Sequence, residues 1–462
     1  MSANGSRRLA WLAWLAVALS AACHEPVLVG PSPLNKVFMP TGMAVLDGRV
    51  LVASSNADLL YADNTGGNVL TLAPVDPVTF DTILIPGALN VNSFAGQLAI
   101  ARNVPRVPAT PPDSVKAGYC GAAVRSPLAV FATRGSNTLN VLSVGPAGQL
   151  ACESCGVRVA IAGFADPFPI AIACSPARTS AFTGYLTAAN SIGWVTELDL
   201  QTGQIRTGPV GPGVVNSLAY DVAHDRLYVG ELATNVTSPL RWIDLTGCSL
   251  DTGCTVGSAF IPGIPAGSEI RSIALAHPFV ASNGVLQPQR AFVTVRLYDT
   301  VAAASAGGRT VDFGGLLVVL DFVENAQGGV DLQLVNTVPP LESGTLGLGL
   351  QDVIVFPSRG PGIRDVVATV AQDDGLLWIY DDESNQLTLV YGRDPVTGAP
   401  ILGHEPAGLA VDPDALGTAR LWVGSYTDSF VTPIDVPLAA PQEAQFAPFG
   451  GGVQHKITGA MP

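Results

Sequence analysis

Charged residues are scarce in this sequence of 462 residues, in which Asp, Glu, Lys and Arg together make up 13%. Basic residues are the rarer sign, with 23 Lys and Arg against 37 Asp and Glu, and the formal net charge is −14. Because neutralising phosphates requires Lys and Arg, this balance argues against a nucleic-acid partner. The acidic excess is typical of a soluble surface rather than of substrate steering.

Histidines and compact catalytic motifs are also lacking. The five His are scattered at positions 24, 224, 277, 404 and 455, with no HExxH or HxH pair among them. There is no Gly-x-Ser-x-Gly elbow, no Walker loop and no GxGxxG opening a helix. These absences argue against a His-built zinc site and a compact nucleophile–base pair. They leave open a site assembled from residues far apart in the sequence.

Helical periodicity is nearly absent, whereas turn formers and apolar residues are abundant. The chain has 50 Gly and 36 Pro, and 48% of its residues are hydrophobic. Such a composition excludes a disordered chain and fits many short strands joined by turns.

One phrase, a turn followed by a short apolar run, occurs seven times, with Ala near its centre in six of them. Examples are "NSLAY" (216–220) and "AGLAV" (407–411). The central positions align at Ala44, Ala99, Ala171, Ala219, Ala274, Ile354 and Ala410. The shortest spacing between them is close to fifty residues, which is within the range of propeller repeats.

Further strands follow each apolar run. A second strand such as "RLWVGSY" (420–426) is followed by a third such as "LRWIDL" (240–245), and a weaker fourth resembles "QLTLVYG" (386–392). This order predicts an all-β, seven-bladed β-propeller of four-stranded antiparallel blades over residues 38–445. Either "VLVG" (27–30) or the tail near "QFAPFGG" (445–451), where the C-terminal segment 446–462 begins, is expected to supply a ring-closing strand.

The repeats resemble the YVTN-type propeller repeats. "PAGLAVDPDALGTARLWVGSY" (406–426) has their Pro-x-Gly, apolar strand, Pro-Asp turn and second strand, although the Tyr-Val-Thr-Asn tetrapeptide itself is absent. The resemblance extends over about residues 38–440. It implies a propeller fold, and propellers of this broad kind include binding modules, surface proteins and lactonase-like enzymes.

The N-terminus resembles a bacterial lipoprotein signal. Arg7 and Arg8 precede an apolar stretch too short to span a membrane, and small residues lead to Cys23. The resemblance implies a signal peptide at 1–22, a lipidated Cys23 and a tether at 23–37, with His24 directing the protein to the outer membrane. The alternative is ordinary secretion to the periplasm or cell surface, with Cys23 incidental.

Six further cysteines are expected to form disulfides, because both interpretations of the N-terminus export the protein. Cys152 with Cys155 and Cys248 with Cys254 are close enough in sequence for local bridges. Cys120 and Cys174 remain and are expected to link blade 2 to blade 3. The alternatives are a redox or metal pair at "CESC" and two buried free thiols at 120 and 174.

One face of the predicted propeller collects the loops that enter first strands and those that join second to third strands. Its candidates for a ligand or metal site are Asp58, Asn137, Asn190, Asn216, Glu231, Asp299, Asp352, Asp373, His404 and Asp428. Carboxylates and Asn carbonyls are hard oxygen donors that suit Ca²⁺. The alternative is that they form solvated turns, in which Asn and Asp are common.

Two functional hypotheses follow. The first is a lipid-anchored envelope module, expected to be a monomer, that binds a small molecule or another protein. The second is a metal-assisted, lactonase-like hydrolase whose rim carboxylates hold the ion that polarises a carbonyl.

Overall fold

The computed structural model describes residue 34, residues 37–55, 67–74, 82–91, 95–103, 120–158, 166–175, 177–186, 192–232, 239–265, 268–298, 312–326, 329–340 and 344–390, residue 402 and residues 404–446. The signal segment with Cys23 and the "VLVG" stretch lie outside these residues.

The strands form seven four-stranded antiparallel sheets, and each sheet is one blade built from consecutive strands. Blade 1 contains β1 (Pro40–Leu46), β2 (Arg49–Ser54), β3 (Gly67–Pro74) and β4 (Thr82–Val91). Blade 2 contains β5 (Ala95–Ala101), β6 (Leu128–Thr133), β7 (Thr138–Val144) and β8 (Leu150–Arg158). Blade 3 contains β9 (Pro167–Ser175), β10 (Arg178–Tyr185), β11 (Ile192–Asp199) and β12 (Ile205–Pro212).

Blades 4 to 7 repeat this order. Blade 4 contains β13 (Val214–Asp221), β14 (Arg226–Leu232), β15 (Leu240–Asp244) and β16 (Thr255–Ala259). Blade 5 contains β17 (Ser268–Leu275), β18 (Gln289–Tyr298), β19 (Asp312–Glu324) and β20 (Val330–Val338). Blade 6 contains β21 (Leu350–Val355), β22 (Val366–Ala371), β23 (Leu376–Asp381) and β24 (Gln386–Val390). Blade 7 contains β25 (Pro406–Val411), β26 (Thr418–Ser425), β27 (Phe430–Pro437) and β28 (Gln445–Phe446).

The predicted seven-bladed fold is confirmed, and the seven aligned positions all lie in the first strands of their blades. Of the two segments expected to supply a ring-closing strand, the C-terminal one contributes a short strand, Gln445–Phe446. This strand pairs with β27 and is the fourth strand of blade 7.

The core consists of clusters of buried side chains between neighbouring blades. Strand β6 shows how one strand serves two of them. Ala129 and Phe131 pack towards blade 1, whereas Val130 and Ala132 pack towards blade 3. Because side chains alternate between the faces of a sheet and both faces are covered, second strands are almost continuously apolar.

The ring closes by side-chain packing between blade 7 and blade 1. Met43 packs in a cluster with Trp422 and Val431. It also lies against Gly424, where an added Cβ would be 3.2 Å from the terminal methyl of Met43. The backbone N–H of Met39 also donates to Ser429 Oγ at 3.1 Å.

The structure contains three disulfides, in the expected pairing. Cys152–Cys155 and Cys248–Cys254 are local, with Cα atoms 5.8 and 5.5 Å apart. Cys120–Cys174 links the turn before β6 to the end of β9, with Cα atoms 4.6 Å apart. The last bridge therefore joins blade 2 to blade 3.

Candidate functional site

A β-bulge interrupts the pairing of first and second strands in every blade, at the point where the first strand begins. The residue three positions before each aligned position falls in the bulge. We call these residues the bulge ring: Thr41, Gly96, Phe168, Asn216, Arg271, Gln351 and Ala407. Because a bulge turns a side chain away from the regular alternation, each blade can direct one side chain to the channel mouth.

The bulge ring borders a cavity of about 290 Å³ at the mouth, to which six of its seven members contribute. Its side chains are unevenly distributed. Blades 3 to 6 carry the large ones (Phe168, Asn216, Arg271 and Gln351), whereas blades 7, 1 and 2 carry Ala407, Thr41 and Gly96. Gly96 is required by packing, since a Cβ there would lie 2.9 Å from the carbonyl oxygen of Phe168. The mouth is therefore polar and crowded on one side and open on the other.

Three members of the bulge ring are connected by hydrogen bonds across blades 4, 5 and 6. The side-chain amide of Asn216 donates to the backbone carbonyl of Arg271 at 3.0 Å. The Nη2 of Arg271 donates to Gln351 Oε1 at 2.7 Å. Gln351 in turn donates to Gln372. These contacts fix amide and guanidinium groups at the mouth before any ligand arrives.

The two arginines that border the mouth, Arg271 and Arg134, each form an ion pair. Arg271 Nη1 lies 2.5 Å from the carboxylate of Glu269, which also accepts a hydrogen bond from Tyr298. Burial, with Glu269 nearby, raises the pKa of Tyr298 to about 12, so this hydroxyl remains a donor at neutral pH. Arg134 pairs with Asp166 at 3.3 Å. Neither arginine therefore brings an uncompensated positive charge to the mouth.

Asp352 lies one residue beyond the bulge ring and lines the channel below it. Its Oδ1 accepts hydrogen bonds from Ser272 Oγ and from its neighbour Val353 N–H, both at 2.9 Å. A third comes from the backbone of Leu409 in blade 7. Burial raises the pKa of Asp352 from 3.8 to about 6, although these hydrogen bonds act in the opposite direction. Protein atoms surround Asp352, but its side chain faces the lumen of the channel, so its exposed fraction is intermediate.

Of the ten candidates from the sequence, the structure brings Asn216 and Asp352 together at the mouth. Three others are held in separate pairs: Glu231 with Arg241 at 2.5 Å, and His404 with Asp428 at 3.1 Å.

The remaining candidates lie apart or outside the structure's coverage. Asn137 accepts a hydrogen bond from the backbone of Asp166 at 3.2 Å, and Asp373 is exposed. Asp58, Asn190 and Asp299 lie outside the described residues. Within the described ranges, no three His, Cys, Asp or Glu side chains are grouped so that they could hold a metal ion.

Of the bulge ring, the ten candidates above include only Asn216, although the repeat contains the signal for the whole ring. Counting back three residues from each aligned position identifies every member, including Phe168, Arg271 and Gln351. A choice of candidates by residue type does not find the ring, because the ring is defined by position.

In the part of the chain that the structure covers, no helix has the length and apolar character needed to cross a bilayer. No protein-family model and no curated protein matches the sequence.

Solved structures with similar architecture share little sequence with this chain. A candidate 6-phosphogluconolactonase from Bacteroides fragilis has 13% identity over 93% of this chain and 96% of its own, with a TM-score of 0.48. An auxiliary nutrient binding protein from Bacteroides thetaiotaomicron has 9% identity over 87% and 98%, with a TM-score of 0.43. The periplasmic gluconolactonase of Pseudomonas aeruginosa has 15% identity over 70% and 98%, with a TM-score of 0.34. None of these similarities assigns a ligand or an activity to this chain.

Proposed function

We propose that this protein is an exported propeller that binds a small polar ligand at the mouth of its channel. The observation that carries the proposal is the bulge ring, in which six of the seven blades place the bulge residue at a shared mouth while the rest of the repeat stays similar. A concave site with a few fixed polar groups is the usual form of a small-molecule site.

The charge pattern restricts the ligand. Arg271 is paired with Glu269 and Arg134 with Asp166, so these four groups contribute no net charge. Asp352 then leaves the mouth neutral or singly negative, depending on its protonation. Because a doubly charged anion would meet no uncompensated cation here, we expect neutral or zwitterionic ligands to bind better than phosphate esters.

The geometry favours binding over catalysis. Most residues at the mouth carry amides, a guanidinium, hydroxyls or an aromatic ring, which suit hydrogen bonding and stacking with a ligand. Among them, the hydroxyl of Ser272 donates to the carboxyl of Asp352 at 2.9 Å. The hydrolase alternative is supported by Asp352, since a carboxyl with a pKa of about 6 can transfer protons near neutral pH. A lactone hydrolase would use this group on a substrate seated at the bulge ring.

We also propose that the protein is exported and anchored to the outer membrane through Cys23. The three disulfides support export, because such bridges persist in oxidising compartments. A Cys23→Ser variant should move from the membrane to the soluble fraction. If the variant fractionates as the wild type does, Cys23 does not anchor the protein and simple secretion is the remaining interpretation.

The test of binding is a ligand-detected NMR screen of neutral polyols, zwitterions, carboxylates, phosphate esters and lactones. We expect hits among the neutral and zwitterionic compounds, and Arg271→Gln should weaken them by about tenfold or more, because hydrogen bonds to charged groups are the strong ones. Arg420→Gln is the matched control, since it breaks a half-buried pair with Asp435 away from the mouth.

Two results would change the conclusion. If phosphate esters bind best, or if both arginine variants behave alike, the bulge ring is not the binding site. If a lactone signal disappears with time and Asp352→Asn stops it, the protein is a hydrolase.

A further inference from the structure

The positions directly after the bulge ring include the polar residues Gln97, Ser217, Ser272 and Asp352, and below them the channel becomes mainly apolar. The next position but one in each first strand carries a large apolar side chain, and we call these seven residues the apolar collar: Met43, Leu98, Ile170, Leu218, Ile273, Val353 and Leu409. Each has 5–7% of its surface exposed. All seven border a channel cavity of about 350 Å³, so this small exposure faces the lumen.

The far end of the channel is occupied by an ion pair. Arg102 follows the first strand of blade 2 and is buried. Its Nη1 lies 3.0 Å from Asp414 of blade 7, and its Nη2 donates to the backbone carbonyl of Val45 of blade 1 at 2.5 Å. Its side chain thus borders this end of the channel and connects the neighbouring blades 7, 1 and 2.

The channel therefore has a polar entrance, an apolar middle and a charged far end. Apolar surface facing an aqueous lumen is unfavourable, and an apolar group that displaces the water removes that cost. The cavity volume is at the lower end of the range for drug-sized ligands, whose pockets are mostly apolar with a few placed polar groups. This is the pattern expected for a molecule with a polar head and an apolar chain.

We infer that the ligand is amphipathic, with an uncharged polar head at the bulge ring and an unbranched apolar chain inserted through the apolar collar. This inference rests on the proposed binding function and specifies its ligand class. The collar draws one residue from each of seven blades around a cavity of only about 350 Å³, so a linear chain fits better than a branched one. The carboxyl of Asp352 stands between ring and collar, and it opposes an anionic head.

The experiment measures how affinity depends on chain length. The probes are 1,2-alkanediols of four, six, eight and ten carbons, titrated into the full-length mature protein and followed by ligand-detected NMR. Each added methylene that enters the collar should strengthen binding about fourfold, because burial of a CH₂ contributes about 0.8 kcal/mol. The gain should stop at the length that fills the channel.

Two variants locate the chain. Ala44 and Ala99 line the channel, so Ala44→Leu and Ala99→Leu each add bulk to the lumen from a different blade. Either should reduce decanediol binding by tenfold or more while leaving butanediol binding unchanged. Ala151→Leu adds the same bulk on the exposed fourth strand of blade 2 and is the matched control.

The outcomes separate this inference from the function on which it rests. If affinity does not increase with chain length, or if the increase survives in both channel variants, the inference is wrong. If affinity is flat with length but Arg271→Gln still weakens polar ligands, the binding function stands alone. If nothing binds in an Arg271-dependent manner, both proposals fail.

Discussion

Replacing Asp352 by Asn should stabilise the protein at neutral pH and have little effect in acid. Burial raises the pKa of this carboxyl from 3.8 to about 6, which means that folding disfavours its ionised form. A shift of about two units corresponds to roughly 3 kcal/mol. Because Asp352 faces the lumen and is half-buried, water in the channel lowers this to about 1–3 kcal/mol.

The sign of the pH dependence follows from linkage. Below pH 3.8 the carboxyl is protonated in both the folded and the unfolded chain, so it contributes no penalty. Between pH 3.8 and about 6 the unfolded chain loses the proton first, so the wild type loses stability as the pH rises through this window. The Asn side chain keeps an oxygen for the Val353 N–H and carries no charge, so the variant avoids this loss.

The assay is urea unfolding of both proteins at pH 4.0, 5.5 and 7.5, with reversibility checked at each pH. The gain in the free energy of unfolding from Asp352→Asn should increase from near zero at pH 4.0 to about 1–3 kcal/mol at pH 7.5. Asp373→Asn removes one exposed carboxylate from the same face and controls for the change in net charge. A variant that is less stable than wild type at all three pH values would show that the hydrogen bonds outweigh the burial.

Three further substitutions test the contacts between neighbouring blades. Gly96→Ala should destabilise the protein by about 1–3 kcal/mol in urea unfolding, because its Cβ would meet the backbone of blade 3 at 2.9 Å. Cys120→Ser, which frees Cys174, should cost about 2–4 kcal/mol under oxidising conditions and nothing relative to wild type once both are reduced. Arg102→Ala should cost about 3–5 kcal/mol, because it removes the cation that lies 3.0 Å from the buried carboxylate of Asp414, and a smaller loss in thermal or urea unfolding would mean that water reaches this end of the channel.

Much of the fold was predictable because it depends on local and repeated features. Short apolar runs separated by turn formers predicted the strands. The recurrence of a central small residue placed Ala44 and Ala410 at equivalent positions of blades 1 and 7. Local spacing also predicted the Cys248–Cys254 bridge. These inferences needed no knowledge of which blades are neighbours, apart from their order in the chain.

The site was predicted only in part. The sequence predicts Asn216, Asp352 and Glu231 as rim residues by the same reasoning. Asn216 and Asp352 lie at the mouth, whereas Glu231 forms an ion pair with Arg241. Residue type and loop position do not distinguish these cases. The direction of each side chain depends on the bulge and on the partner supplied by a neighbouring strand.

The sequence by itself determined the strand order, the number of blades and the positions of the first strands, because hydrophobic periodicity and turn chemistry act over a few residues at a time. Only the tertiary structure decided which side chains meet. It connected Asn216, Arg271 and Gln351 across three blades, and it surrounded Asp352 so that its pKa is raised. These contacts join residues 55 to 80 positions apart, and the packing of neighbouring blades brings them within hydrogen-bonding distance.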